Sequence, residues 1–329
     1  MFNNNHIKKT KENQLVDISK SGKEVPWVDK KIRTLLLAES YKRLNNKKAY
    51  RVQECGSFLE FKRYLTTGEL KLQGANFCKV RLCPMCAWRR QLKIFAQVSK
   101  VMDSALQIKD YRFIFLTLTC KNIYAEDVSN TLDHLFKAFN LLTKRKQFKQ
   151  SVKGWFRALE ITHKLDVNSK DFNTYHPHFH VILMVNKSYF NKPEIYISQE
   201  KWTNLWQSCL KVDYTPIVNV KAFKVSSKSK VAKSVAEAAK YTAKDKDYLI
   251  SDNEEMTDSS VRVLDGALAN RRLTAFGGEL KKIHKELNLD DAEDGDLVNT
   301  DSEEELREDV DYIIERYKWN IGYHQYIKY

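Results

Sequence analysis

The run "TYHPHFHVILMV", Thr174 to Val185, constrains this chain more than any other stretch. From Phe179 onward its residues are β-branched, aromatic or aliphatic on both parities, the pattern of a central strand covered on both faces. Side chains alternate faces along a strand, so His176, His178 and His180 share one face, continued by Ile182 and Met184. Buried imidazoles need partners. Either they are hydrogen-bonded core residues, or two of them at i and i+2 grip one divalent ion of the kind phosphate chemistry uses. With three histidines on the face, the residues alone leave the choice of pair open.

The rest of the chain bears on that choice. Its 329 residues, 43% hydrophobic and 12% aromatic, suffice for a buried core in one large domain or two ordinary ones. No signal segment opens the sequence, and no apolar run approaches the roughly 18 residues that span a bilayer, so a soluble, cytoplasmic protein without a membrane partner is expected. The formal charge is +14, unevenly spread: residues 288–315 hold thirteen Asp and Glu against one Arg, and removing that −12 leaves +26 elsewhere. Such a surplus is the footprint of a polyanion binder, nucleic acid before membrane. The acidic run reads as a solvated linker.

Periodicity divides the chain into four segments. Residues 1–44 are a basic, partly disordered N-terminal segment whose end, "VDKKIRTLLLAESYKRL", is helical. Residues 45–105 form a cysteine-rich accessory module that ends in the helical "RRQLKIFAQVSKVMDSAL". Residues 106–250 alternate strands at 111–120, 154–165, 174–185 and 216–225 with helices at 126–148, 198–210 and 229–245. Residues 251–329 are a C-terminal region with the acidic linker, serving as a DNA-binding or interaction element. The β-α-β-β-α-β order predicts an α+β fold with a ferredoxin-like (RRM-like) antiparallel sheet and helices on one side.

Four of the six cysteines, Cys55, Cys78, Cys83 and Cys86, have the spacing of a tetrahedral zinc site: a C-x2-C pair, a third Cys separated from that pair's first by four residues, and a fourth supplied from a distance. In an intracellular chain this favours metal over disulfide, free or redox-active thiols being the alternative. Cys120 and Cys209 read as small buried residues. Arg81, Arg89 and Arg90 crowd the cysteine block, which predicts contact with phosphates. Within "AEAAKYTAKDKDY", Glu237 and Tyr241 are one helical turn apart, with Lys244 on the same face. A tyrosine oxygen can attack a phosphodiester if a cation neutralises the phosphate, and a carboxylate can activate water for a second attack. On its own, a tyrosine with a salt-bridging glutamate is ordinary packing.

Taken together, "FLTLT", "HPHFHVILMV" and "EAAKYTAKD", with "FCKVRLCPMCAWRR" upstream, resemble the motifs of plasmid rolling-circle replication initiators of the HUH endonuclease superfamily, in the single-tyrosine branch with a glutamate at i−4. Coverage runs from about residue 50 to 285. The resemblance implies that residues 106–250 are an HUH nickase domain. In it His178 and His180 bind Mg2+ or Mn2+, Tyr241 is the nucleophile that keeps the 5′ phosphate and frees a 3′ hydroxyl, and Glu237 directs water at termination. Two imidazoles seldom satisfy a hard ion, so a carboxylate should complete the site; Glu160 is the choice, on the strand expected beside the histidines. His163, an odd number of residues from Glu160, faces the other way. The implied partners are origin DNA of a plasmid, single-stranded DNA, and the host helicase, DNA polymerase and single-strand binding protein, with a homodimer left open. Competing readings are a non-catalytic zinc-containing DNA-binding protein, which needs neither paired histidines nor the i−4 carboxylate, and a transposase or relaxase of the same superfamily.

Overall fold

A computed structural model describes residues 13–223, 235, 242–300 and 311–329. Among them the strands are β1 (Phe58–Tyr64), β2 (Leu70–Ala75), β3 (Tyr111–Thr119), β4 (Val152–Lys164), β5 (Thr174–Asn186), β6 (Val218–Ala222), β7 (Thr274–Gly278), β8 (Tyr312–Asn320) and β9 (Gln325–Lys328). Helices of eight residues or more are α1 (Trp27–Arg43), α2 (Pro84–Ile108), α3 (Val128–Lys144), α4 (Gln199–Leu210), α5 (Glu254–Leu268) and α6 (Glu279–Glu286). The strands form two antiparallel sheets, ordered β2-β1-β8-β9 and β6-β3-β5-β4-β7, so the fold is α+β as expected. Two compact units result, one drawn from Met1–Lys93, Ser251–Val261 and Asp296–Tyr329, the other from Ile94–Ile250 and Arg262–Gly295. No described helix is long and apolar enough to cross a membrane.

In the second unit β5 lies between β3 and β4, and β6 flanks β3, the interleaving that a β-α-β-β-α-β run requires. The sheet buries its odd-numbered β5 side chains under two helices. Phe179 touches Phe136 and Phe139 of α3 at ring distances of 5.5 Å each and Trp206 of α4 at 6.4 Å. The burial of α3 at Val128, Leu132, Leu135, Phe139 and Leu142 is the stripe of an amphipathic helix. Helix α4 starts at Ser198, whose hydroxyl accepts from the Lys201 amide at 3.3 Å, an N-cap.

The sequence reading did not foresee β7 and α6, which add an edge strand beside β4 and a helix on the opposite face from α3 and α4. Part of the acidic run is equally unlike a solvated linker. Glu293 is buried and accepts from the amides of Leu273 and Thr274 at 3.2 and 2.7 Å and from the Thr274 hydroxyl at 2.8 Å. Backbone donors that need an acceptor decide this, and charge density along the chain does not reveal them.

In the first unit the buried face of α1 runs Trp27, Lys31, Thr34, Ala38, Tyr41, at spacings of three and four. Phe61 of β1 packs edge-on to Trp27 at 5.5 Å and to Tyr317 of β8 at 6.0 Å. Buried Glu315 is held by Arg63 at 2.8 Å, Lys328 at 2.7 Å and the Tyr317 hydroxyl at 2.8 Å. Burial alone would raise its carboxyl, but these contacts bring it down to about 2.

Gly154 of β4 sits against α6: a Cβ there would stand 2.7 Å from the backbone nitrogen of Leu280, an atom that cannot turn aside. Gly154→Ala is therefore expected to cost about 1–3 kcal/mol as an overpacked site. Thermal unfolding should show a melting temperature several degrees lower, and an unchanged one would mean that α6 shifts freely.

Candidate metal centres

The register of β4 against β5 sets Glu160 opposite His178 and Ala158 opposite His180. Directly opposed residues share a face, so Glu160 joins the two imidazoles on the face away from Phe179. Its Oε2 lies 2.7 Å from His180 Nε2 and 3.5 Å from His178 Nε2, and the two Nε2 atoms are 3.2 Å apart. All three side chains are buried. Nδ1 of His178 approaches the His176 carbonyl at 3.1 Å. A carbonyl only accepts, so Nδ1 carries the proton and Nε2 keeps its lone pair, the tautomer of a ligating imidazole.

Burial would raise the Glu160 carboxyl, yet its polar contacts with His178, His180 and Lys244 hold it well below the usual carboxylate range. Lys244 Nζ sits 2.8 Å from Oε1, leaving Oε2 to the imidazoles. Two nitrogens and one anionic oxygen within 4.8 Å of one another are a donor set that fits one divalent cation. His176 stays outside this group, stacked on His178 at 5.2 Å and pushed down to about 4 by burial and the neighbouring His178. His163 lies on the other face, stacked on Tyr175 at 4.2 Å and 2.9 Å from Asn173 Oδ1, a satisfied core histidine.

Tyr241 and Glu237 lie outside the described residues. Lys244 does not continue a helix as its spacing predicted. Its backbone is extended, φ −76° and ψ 142°, and it leads into a single turn at Asp245–Asp247. The side chain still reaches Glu160, because the turn folds back along β4, where the Ile161 amide donates to the Thr242 carbonyl at 2.6 Å. The same turn brings in Asp247, which sequence reasoning missed. Its Oδ2 is buried with no hydrogen-bond partner among the described residues, and burial raises its carboxyl against the pull of Lys244 and Lys246. Only the D-x-D spacing around Lys246 hinted at it.

The four cysteines form a second cluster, in the first unit. Cys55 lies 3.5 Å from both Cys83 and Cys86, sulfur to sulfur, and Cys78 lies 3.7 Å from Cys86. Disulfide sulfurs are about 2.05 Å apart, and all four thiols are unbridged. Ligands about 2.3 Å from a tetrahedral ion stand roughly 3.8 Å from one another, so the cluster fits one metal. Backbone amides of Cys78, Lys79 and Val80 point at the sulfurs at 3.3, 3.3 and 3.4 Å, which suits thiolates, and Lys79 takes the left-handed φ of +57° that turns them inward. Buried Lys31 donates to the carbonyls of Gln53 and Cys55 at 2.7 and 2.9 Å and sets a positive charge beside the cluster.

Arg89 and Arg90, expected to face phosphates, point into the interior. Both are buried, Arg89 donating to the carbonyls of Leu297 and Val298 at 2.9 and 2.7 Å and Arg90 to those of Val80 and Lys79 at 3.2 and 2.5 Å. Loop carbonyls left without partners in a core draw guanidinium donors inward. Cys120 and Cys209 are buried as expected.

A model of a replication protein family matches residues 69–327. The chain belongs to that family. It is 42% identical to a "Protein rep" of Bacillus amyloliquefaciens, covering 95% of this chain and 96% of the relative. A "Protein rep" of Lactiplantibacillus plantarum is 38% identical over 94% and 97%. A "Replication protein" of Staphylococcus aureus is 37% identical over 68% of this chain and 94% of its own length. No solved structure matches. A role in replication follows from the family, and both clusters lie within or beside the matched span, only Cys55 falling before it.

Cys86→Ser should remove the metal held by the four thiols, seen as metal content per chain by elemental analysis, and lower the melting temperature, since a structural ion contributes folding energy directly. Wild-type metal content in this variant would remove the cysteine centre.

Proposed function

We propose that the chain initiates rolling-circle replication of a plasmid by nicking its double-strand origin. The observation that carries this reading is the buried Glu160, His178 and His180 group with Lys244 beside it. A Mg2+ or Mn2+ ion bound by that group would polarise the scissile phosphate. The Tyr241 oxygen then forms a bond to phosphorus, giving up its proton, while the bond to the 3′ oxygen breaks and that oxygen leaves as a hydroxyl that primes the polymerase. Lys244 sets a positive charge beside the phosphate. At termination Glu237 takes a proton from water, the water oxygen attacks phosphorus at the regenerated origin and its 3′ oxygen leaves as a hydroxyl; that hydroxyl then attacks the phosphotyrosine, closing the displaced strand into a circle and restoring the phenol. The chemistry is assigned to residues 106–250, and Zn2+ to Cys55, Cys78, Cys83 and Cys86 as a structural ion. The protein then works in the cytoplasm with a host helicase, DNA polymerase and single-strand binding protein.

On a supercoiled plasmid carrying the cognate origin, with Mn2+, Tyr241→Phe should abolish nicking and the covalent protein–DNA adduct while origin binding stays within a few-fold. The ring remains and only the attacking oxygen is lost. An adduct that persists would move the role to another tyrosine, such as the buried Tyr248.

Glu237→Ala should still nick and form the adduct but fail at hydrolysis, so replication products longer than one unit accumulate. Unit-length circles at the wild-type yield would mean that Glu237 only pairs with a neighbouring lysine, an exposed contact contributing at most about 1 kcal/mol.

A further inference from the structure

The four-stranded sheet has a second face that the proposed nicking chemistry does not use. Along β8 the residues Tyr312, Ile314, Arg316 and Lys318 alternate away from the packed face that holds Glu315 and Tyr317. Tyr312 and Ile314 are 45% and 42% exposed, and Tyr329, whose amide donates to the Arg316 carbonyl at 3.1 Å, is 61% exposed. Large side chains in water need a reason when they line up on one surface.

The charges on this face are ordered with the rings. Lys62, opposite Ile314 on β1, places Nζ 4.3 Å from the centre of the Tyr312 ring. Lys318 places its Nζ 4.5 Å from the centre of the Tyr329 ring. Arg316 lies between the two pairs, held by Glu60 at 2.7 Å. Three cations against one carboxylate leave the strip positive, and each exposed ring has an ammonium at its side.

We propose that this face of β8, with Lys62 and Tyr329, is a stacking platform for single-stranded DNA. The inference rests on the replication reading for the presence of unpaired strands. An unstacked base offers a π-face to a tyrosine, and its phosphate offers the neighbouring ammonium a counter-charge, so the ring-and-cation pairs match a repeating unit of base and phosphate. A duplex keeps its base faces stacked inside, so exposed rings can stack only on the bases of an unpaired strand. From Tyr312 to Lys318 is six residues, about 20 Å of strand, enough for on the order of four nucleotides, the low end of known site sizes.

The test uses the full chain and an oligothymidylate of about 20 nucleotides, which carries no origin, with no Mg2+ or Mn2+ added. Fluorescence anisotropy reads its affinity beside that of a duplex of equal length. The double variant Tyr312→Ala/Tyr329→Ala should bind the single strand at least tenfold more weakly and the duplex within twofold, at an unchanged melting temperature. Lys62→Ala/Lys318→Ala should flatten the salt dependence of single-strand binding by about 1.4 in log–log slope, two contacts at about 0.7 each. Single-strand affinity within twofold of wild type in the tyrosine variant overturns the proposal. So does equal loss on both ligands, and so does a shift from dimer to monomer in sedimentation with DNA binding intact, which would make the face a self-association surface. Origin nicking is assayed separately on the wild-type chain, so a failure of the nicking reading leaves this result standing.

Discussion

The contact on which the architecture of the second unit depends is the buried carboxylate of Glu160 between His178, His180 and Lys244. A carboxylate taken out of water is costly unless it is paired and hydrogen-bonded, and here one oxygen faces two imidazoles while the other faces an ammonium. That arrangement exists only in one register of β4 on β5. A slip of one residue would turn Glu160 toward Phe136 and Phe139 and bring Leu159 to the histidines. The long buried backs of both strands, with Phe179 wedged among Phe136, Phe139 and Trp206, make such a slip prohibitive. Hydrophobic packing on one face therefore positions the polar chemistry on the other.

The same rule governs the first unit, where charge is buried more often than composition suggests. Lys31, Arg89, Arg90 and Lys93 are all buried, each donating to main-chain carbonyls. Their positive charges belong to the interior and to the four-cysteine cluster, so the chain's net charge overstates what its surface offers a polyanion. What remains outside is patterned, as the cations set against the rings of Tyr312 on β8 and Tyr329 just after β9 illustrate.

Much of the second unit was legible because its signals are local. Unbroken apolar runs marked β3, β4 and β5, the spacing of Val128, Leu132, Leu135, Phe139 and Leu142 marked α3, and Ser198 marked the start of α4. The parity argument that put His178 and His180 on one face and His163 on the other needs only the period of a strand. Lys244 was misread because helical spacing was extended past the point where the backbone becomes extended at Lys244 itself. Arg89 and Arg90 were read as surface groups because nothing in a sequence reveals which carbonyls will lack partners. Asp247 was overlooked for the same reason: its place beside Glu160 is made by a turn that folds back on β4.

By itself, the sequence determined the strand and helix periods, the four-thiol ligand set and the one-sided histidines, since each depends on residues a few positions apart and on the fixed geometry of helix and strand. Only the tertiary structure decided which elements meet across long stretches of chain. Strands β8 and β9 close the sheet begun by β1 some 250 residues earlier, β7 and α6 extend the other sheet, and Glu293 reaches back from the acidic run to the start of β7. Those pairings are chosen by which backbone edges and buried polar groups still lack partners once the local elements have formed, a condition that no short window of residues contains.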